Sequence, residues 1–505
     1  MTQPTITGQQ WRDLPVPELG QWTPQQRVCV VLPARDNQAE LDRTLAALGR
    51  QTYPAELLEV VVVDDASPVP LVVPELAPPS TRILRVEEGQ KHGSGRARDR
   101  GARSTDAETI LFLDSDMIVD QWHVEAHARW HHVCPYAVVL GRKWFVETDG
   151  ITPEQVAEAV AVDGLEELLG DRPREGHTWQ ENFIKRRKML TQDLDDTFIS
   201  VVGADISIGR ELYERSGGFA AFGVRGIVDT EFGYRAFTAG GLVIPDQEAL
   251  AYHQGPRTFS NRREEIKWER HGLVANHLPI PMFRTIGTGR QWAVPRIRAL
   301  VDASGAEPAD VVVTVDTLLG SAFADLHVDV AGDVPAWLRE YYAHEGRVGF
   351  APPADAFPSP FTLHVSPGVQ VAPTTLGDAV ERLASVPALR AELAPGLHLT
   401  MRTTRSVRRA ELTGTEPPAP TPVDPAALGV ARAAHHLTSQ GMVALDAPPE
   451  PARPAAAAPA QNKPTPSQPT TTPAKKKQQA PLSIPARARR KARHLAGRLR
   501  RALRG

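Results

Sequence analysis

Between residues 27 and 255, short apolar runs alternate with segments whose apolar residues recur at helical spacing, which predicts an α/β fold built on a mostly parallel sheet. Residues 28–32 predict a first strand, 39–49 a helix, 58–64 a second strand and 109–113 a later one. Residues 257–275 are charged and helix-like. Residues 308–400 again mix strand-like runs such as 311–315 with helical stretches such as 376–393, and 416–446 predict a short helical segment. From 447 to 482 there are ten prolines and no aromatic residue, the composition of a disordered linker. From 483 the pattern is helical again: Ser483 is the expected N-cap, and Ala488, Ala492, Leu495, Ala496, Leu499 and Leu503 fall on one stripe among nine Lys or Arg.

Charge sharpens that division. The net charge of −3 hides twelve Lys or Arg and no acid in residues 475–505, so the remaining residues sum to 45 basic minus 60 acidic, or −15. A basic amphipathic helix suits an anionic membrane surface, whereas nucleic acid is the poorer partner because the helix offers no aromatic for base stacking. Only Cys29 and Cys134 are present, too few for a disulfide framework, which fits a reducing compartment. The N-terminus lacks a basic start followed by an apolar stretch, and no apolar run reaches about 18 residues. The expectation is a cytoplasmic protein held peripherally at the inner face of the membrane.

The predicted strand at 109–113 ends abruptly in Asp114, Ser115 and Asp116. Both acids can project together from its carboxyl end, where open α/β sheets bind ligands, and hard oxygen donors on short stems suit Mg²⁺ or Mn²⁺. Alone, an Asp-X-Asp equally suits a solvated turn. Other polar strand ends join it: Pro33, Arg35 and Asn37 after the first strand, and Asp64, Asp65 and Ser67 after the second, the makings of a nucleotide crevice. Gly93, Gly95, Arg96, Arg98 and Arg100 then form a glycine-rich entry into an arginine-bearing helix, a place where a diphosphate could bind.

In this order the motifs resemble the family 2 glycosyltransferases with the GT-A fold, over roughly residues 27–255. The matching positions are Pro33 with Asn37, Asp64 to Ser67, Ala97 to Gly101 with Asp99 in place of the family's Asn, and Asp114 to Asp116. Farther on, Gly203 to Asp205 resembles the acceptor-side loop, and Asp229 to Glu231 with Arg235 the helix that carries the catalytic base, although Val228 stands where the family has Glu. Phe232 to Arg235 and His253 with Gln254 are similar to the half-domains of chondroitin-type polymerases and of polypeptide N-acetylgalactosaminyltransferases. The resemblance implies a divalent metal (Mn or Mg) on Asp114, Asp116 and His253. It places a nucleotide-sugar donor, UDP-linked, against Pro33, Arg35, Asn37, Asp64, Asp65, Arg98, Asp114 and Ser115. Asp229 is the implied base with Glu231 as fallback, and Asp205 the implied acceptor contact. The implied reaction is inverting transfer to a hydroxyl of a cell-surface glycan or lipid-linked precursor. The Gln-X-X-Arg-Trp signature of processive membrane synthases is missing, which argues against a polymer-extruding synthase.

Residues 313–331 and 361–373 resemble the first helix, second strand and metal-strand region of the same family, but His364 to Pro367 carry no acid. The expected organisation is therefore an extension at 1–26, a GT-A domain at 27–300 and, at 301–415, either a degenerate GT-A-like accessory domain that holds acceptor or forms a homo-oligomer or, with equal weight, an unrelated α/β appendage. The segment 416–446, the linker and the basic helix 483–505 follow. The rival readings are a non-catalytic binding scaffold on the same fold and a sugar nucleotidyltransferase; the latter lacks its glycine-rich loop with Arg and Lys after the first strand.

Overall fold

The structure is a computed structural model that describes residues 6, 8–87, 93–219, 227–256, 263–285, 289–350, 358–433, 435–437 and 443–445. The linker and basic helix expected at 447–505 lie outside the described residues.

The first half is a sheet of nine strands: β1 (Val28–Ala34), β2 (Leu58–Asp64), β3 (Thr81–Arg85), β4 (Thr109–Leu113), β5 (Met117–Val119), β6 (Ala137–Val146), β7 (Arg174–Gly176), β8 (Asp205–Gly209) and β9 (Leu242–Gln254). Their order is β3-β2-β1-β4-β8-β6-β9-β5, with β7 beside β6. The strands β1 to β4 are parallel, and β8 runs antiparallel to β4.

Strand β1 shows why these residues form a central strand. Val28, Val30 and Leu32 pack into one apolar cluster, Cys29 and Val31 into another on the opposite face, and β2 alternates in the same way. Each such valine or leucine contributes about 1.5–3 kcal/mol when buried, which pins the register because a one-residue slip would exchange the two faces. Burial also pushes the Cys29 thiol up to about 12, so it is an inert core residue. Helix α1 (Gln38–Leu48) covers the first face; α2 (Ser94–Arg103) covers the second so closely that a Cβ at Gly101 would come within 2.4 Å of Val31.

The helices α3 (His123–Val133), α4 (Val228–Thr238) and α5 (Arg263–His277) also belong to this half, with shorter helices at Pro153–Ala161, Leu165–Leu169, Thr178–Arg186 and Arg210–Arg215. The second half has its own sheet and core. It contains β10 (Ile297–Asp302), β11 (Leu326–Ala331), β12 (Val348–Gly349), β13 (Phe361–Val365), β14 (Val369–Val371), β15 (Ala388–Ala394), β16 (Leu397–Thr403), β17 (Thr421–Val423) and β18 (Val430–Arg432). The main sheet is ordered β12-β11-β10-β13-β16-β15-β17, and β14 pairs with β18.

Three expectations for this half are corrected. The segment 416–446, expected to be helical, holds β17 and β18, with a helix of only four residues, Pro425–Leu428, between them. The run 311–315, expected as a strand, lies inside α6 (Pro308–Leu319), which Pro308 opens and which buries valines on several sides. The stretch 376–393 is α7 (Thr375–Arg382) followed, after Pro387, by β15.

Helix α8 (Thr404–Thr413) fastens the second sheet to the first. Buried Arg405 pairs with Asp193 and Asp195, and buried Arg409 donates to the carbonyls of Ile6, Gly8, Gly240 and Gly241. Gly240 has φ of +109°, and a Cβ there would lie 2.8 Å from the Arg409 backbone nitrogen, so the contact needs glycine.

Candidate functional site

The carboxyl ends of β1 and β2 lie side by side, and each continues into a non-glycine residue with left-handed backbone, Asp36 (φ 54°) and Ala66 (φ 61°). The two loops are tied together: Asp36 N–H donates to Ser67 Oγ at 2.9 Å, and Asp65 N–H to the Ala34 carbonyl at 2.8 Å. Asp64 is wholly buried and braces this arrangement, accepting from the backbone of Ser67 and Leu71 and from Arg85. Burial raises its pKa, but those hydrogen bonds outweigh it and hold the carboxyl below the usual range. Asp65 accepts from Gly93 N–H at 2.7 Å and so anchors the entry to α2. Asn37 donates to Ser115 Oγ at 2.8 Å, and Ser115 donates to the Pro33 carbonyl at 2.9 Å, which locks the loop after β1 to the turn after β4. Arg35 is exposed at the rim.

That turn is Asp114-Ser115-Asp116. Asp114 N–H donates to the Ala204 carbonyl, and β5 pairs antiparallel with β9 so that Met117 faces His253. The register brings His253 Nε2 within 3.4 Å of Asp116 Oδ2. His253 Nδ1 lies 3.1 Å from the Gln254 carbonyl, which can only accept, so the ring proton of neutral His253 sits on Nδ1 and the Nε2 lone pair faces the carboxylate. Asp116 Oδ1 is buried without a hydrogen-bond partner. Burial, with the charge of Asp114 adding to it, pushes the Asp116 carboxyl up to about 6, although His253, when protonated, pulls it down. Two acceptors turned toward one another, with an orphaned oxygen beside them, fit a divalent cation.

Arg98 closes the other side. Its buried guanidinium donates to Asp114 Oδ1 at 2.6 Å and to Asp229 Oδ1 at 3.2 Å, with Phe219 packed against it. The space is tight: a Cβ at Gly203 would come 2.5 Å from Asp229 Oδ1 and 2.9 Å from Arg98 Cζ. Val228 packs on Gly95 in the first turn of α2, where a Cβ would come within 2.4 Å of it, so an apolar contact occupies the position where an acid was expected.

Asp229 and Glu231 are separated by about 200° around α4, and they part accordingly. Asp229 is 29% exposed at the crevice, whereas Glu231 is fully buried and held by Arg235, which also donates to the carbonyls of Ser216 and Gly218. Asp205 is fully buried too, beneath Asp114, with its carboxylate facing His123 and His127. The structure therefore brings Pro33, Asn37, Asp114, Ser115, Asp116, His253, Arg98 and Asp229 to one crevice and turns Asp205 and Glu231 inward. Sequence reading missed the histidines around Asp205, although His123, His127 and His131 repeat at the helical interval of four.

Residues 29–200 match the family model described as glycosyl transferase family 2. Chondroitin synthase from Escherichia coli is 22% identical over 342 residues, which are 64% of this chain and 49% of that protein. Validoxylamine A glucosyltransferase from Streptomyces hygroscopicus subsp. limoneus is 32% identical over 149 residues, 28% of this chain and 33% of that one. The chain thus spans half or less of the length of these relatives. Among solved structures, a Pyrobaculum calidifontis mannosyltransferase in complex with GDP-Man and Mn²⁺ is 18% identical with a TM-score of 0.34, covering 52% of this chain and 66% of that one. Residues 1–349 of TarS from S. aureus, in complex with UDP-GlcNAc, are 16% identical with a TM-score of 0.35, covering 49% and 65%.

Proposed function

We propose, from the match of residues 29–200 to glycosyl transferase family 2 and the crevice described above, that this chain is a metal-dependent, inverting glycosyltransferase. It takes a sugar from a nucleotide diphosphate, UDP in this reading, to a hydroxyl of a glycan or lipid-linked acceptor. The observation that carries the proposal is the convergence of Asp114, Asp116 and His253 on one side of Arg98 and Asp229 on the other.

The loops after β1 and β2 would hold the nucleotide, with Pro33, Asn37 and Asp65 at the base and ribose and Asp64 bracing them from below. Arg35, which is exposed, would meet phosphate. Asp116 and His253, with Asp114 adjoining, are the residues that would hold a divalent cation, whose charge would offset that of the departing diphosphate. Asp229 would accept the proton of the acceptor hydroxyl as that oxygen bonds to the anomeric carbon and the bond from that carbon to the diphosphate breaks, inverting the centre. Arg98, donating to Asp229 Oδ1 at 3.2 Å, would aim that carboxylate.

No helix among the described residues is long and apolar enough to cross a membrane. The basic segment 483–505 is read as a peripheral tether that raises the local concentration of a membrane-bound acceptor.

Screening the purified full chain against a panel of nucleotide sugars with Mn²⁺ tests the function. Hydrolysis or transfer from one of them is expected; binding of a donor with no turnover on any acceptor tried would favour the scaffold reading instead.

A further inference from the structure

Directly beneath the crevice, α3 presents His123, His127 and His131 to β8, whose Asp205 and Ser207 point to the same side of the strand. All five side chains are buried. Nε2 of His123 lies 3.2 Å and Nε2 of His127 3.1 Å from a single oxygen, Asp205 Oδ1. The other oxygen, Oδ2, is closed off from solvent and has no hydrogen-bond partner, a costly state for a carboxylate. Gly141 leaves the space for it, since a Cβ there would come within 1.9 Å. Buried Lys143 lies in the same electrostatic neighbourhood, but its ammonium donates to Gln180.

We propose that His123, His127 and Asp205 form a buried structural site for a divalent cation, zinc by its donor chemistry, separate from the Asp116–His253 end of the crevice. Two imidazole nitrogens and a carboxylate are a zinc donor set. Corners of a tetrahedron with bonds of about 2.0–2.1 Å lie about 3.3–3.4 Å apart, close to the separations seen. Asp205 chelating the cation with both oxygens would supply a fourth donor at a bite narrower than a tetrahedral edge, and it would give the orphaned Oδ2 a partner.

The surroundings suit that role. His127 Nδ1 meets Ser207 Oγ at 2.9 Å, the kind of contact that fixes the orientation of a metal-binding imidazole, and Ser207 in turn meets His131 Nε2 at 2.7 Å. His123 Nδ1 has no such partner, which makes His123 the weaker ligand. The site would bolt α3 to β8 one residue from Ala204, whose carbonyl holds the Asp114 backbone. The opposing arrangement uses the same atoms without metal: both imidazoles donate Nε2–H to Oδ1, and Oδ2 stays unpaired.

The two are separated by metal analysis of the full-length protein, purified without chelator and desalted. About one zinc per chain is expected, retained in Asp116→Ala and lost in the His123→Gln/His127→Gln double variant, while Ser207→Ala should give it up faster to a chelator. Should the double variant fail to fold, the wild-type protein still decides, because stripping zinc should lower its Tm and restoring zinc should recover it. Absence of zinc from both wild type and Asp116→Ala after incubation with zinc, with no change in Tm, would overturn the proposal. Undiminished zinc in a folded double variant would overturn it as well.

Discussion

The two sheets share an order over six strands: β3-β2-β1-β4-β8-β6 in the first and β12-β11-β10-β13-β16-β15 in the second. In each, four parallel strands are followed by an antiparallel pair. The likeness extends to the chain's exit from the fourth strand. β4 leads through Asp114-Ser115-Asp116 into a three-residue strand, and β13 leads through Ser366-Pro367-Gly368 into another. The second sheet thus retains the scaffold of strand ends without these acids at the matching positions: Ser366 and Gly368 stand where Asp114 and Asp116 do, and Ala331 closes β11 where Asp64 closes β2, although Asp302 closes β10 where Ala34 closes β1. We propose on this ground that the second half is a degenerate copy of the first, running past the 301–415 expected, since β10 starts at Ile297 and β18 ends at Arg432. It also teaches that strand order places a crevice, while a few side chains decide whether charge can be held in it.

The sharpest way to break this comparison is to exchange its chemistry. Asp116→Ala should lower turnover by about 10³-fold or more, because a cation on a departing diphosphate is worth several kcal/mol. Its Tm should stay close to wild type, since removing one of two neighbouring acids relieves repulsion. Ser366→Ala, at the matching end of β13, should leave turnover unchanged. A loss of activity there would show that the second sheet takes part in the chemistry.

Within the first sheet, Asp229 and Glu231 should separate in the same manner. Asp229→Asn retains shape but cannot take a proton, so turnover should fall by about 10²-fold with donor binding intact. Glu231→Gln should instead act on folding, because it strands Arg235 in the core; a loss of about 3–5 kcal/mol is expected from thermal or urea unfolding. A stable Glu231→Gln protein that no longer turns over would transfer the base to Glu231.

The joint between the sheets is the next target. Arg405→Ala removes the buried partner of Asp193 and Asp195, and unfolding should then resolve into two transitions, one for each core. A single transition at unchanged Tm would mean that the joint is not carried by this pair.

The smallest effect is on acid stability. The folded-state pKa of Asp64 is depressed, so its contribution is fully present above the unfolded carboxylate value near about 3.9 and is lost as pH falls through the folded value. Asp64→Asn should flatten the stability profile below about pH 4, and Ala331, having no charge, sets no such dependence. An unaltered profile would remove Asp64 from that role.

Much of this was legible in the chain because strands β1, β2 and β4 are apolar runs ending in polar loops, and α1 shows clear helical spacing. Their observed bounds fall within two residues of those predicted from the pattern. The valine run at 311–315 misled because β-branched residues favour strands, whereas here a proline at the first turn and burial on several sides make a helix. The inward turn of Glu231 follows from its spacing to Asp229, which only a settled helix makes usable. The burial of Asp205 could not be read locally, since its carboxylate faces two histidines some eighty residues earlier in the chain. The Asp-X-Asp counterpart in the second sheet lies at 366–368 rather than within 364–367, because the end of β13 is set by its pairing with β16.

The central claim is that one strand end, that of β4, holds the donor. Titration calorimetry of the full chain with UDP or GDP in the presence of Mn²⁺ tests it directly. The account predicts about one nucleotide per chain for wild type and for Ser366→Ala, and none for Asp114→Ala/Asp116→Ala. Two nucleotides per chain, or unweakened binding in the double variant, would contradict it.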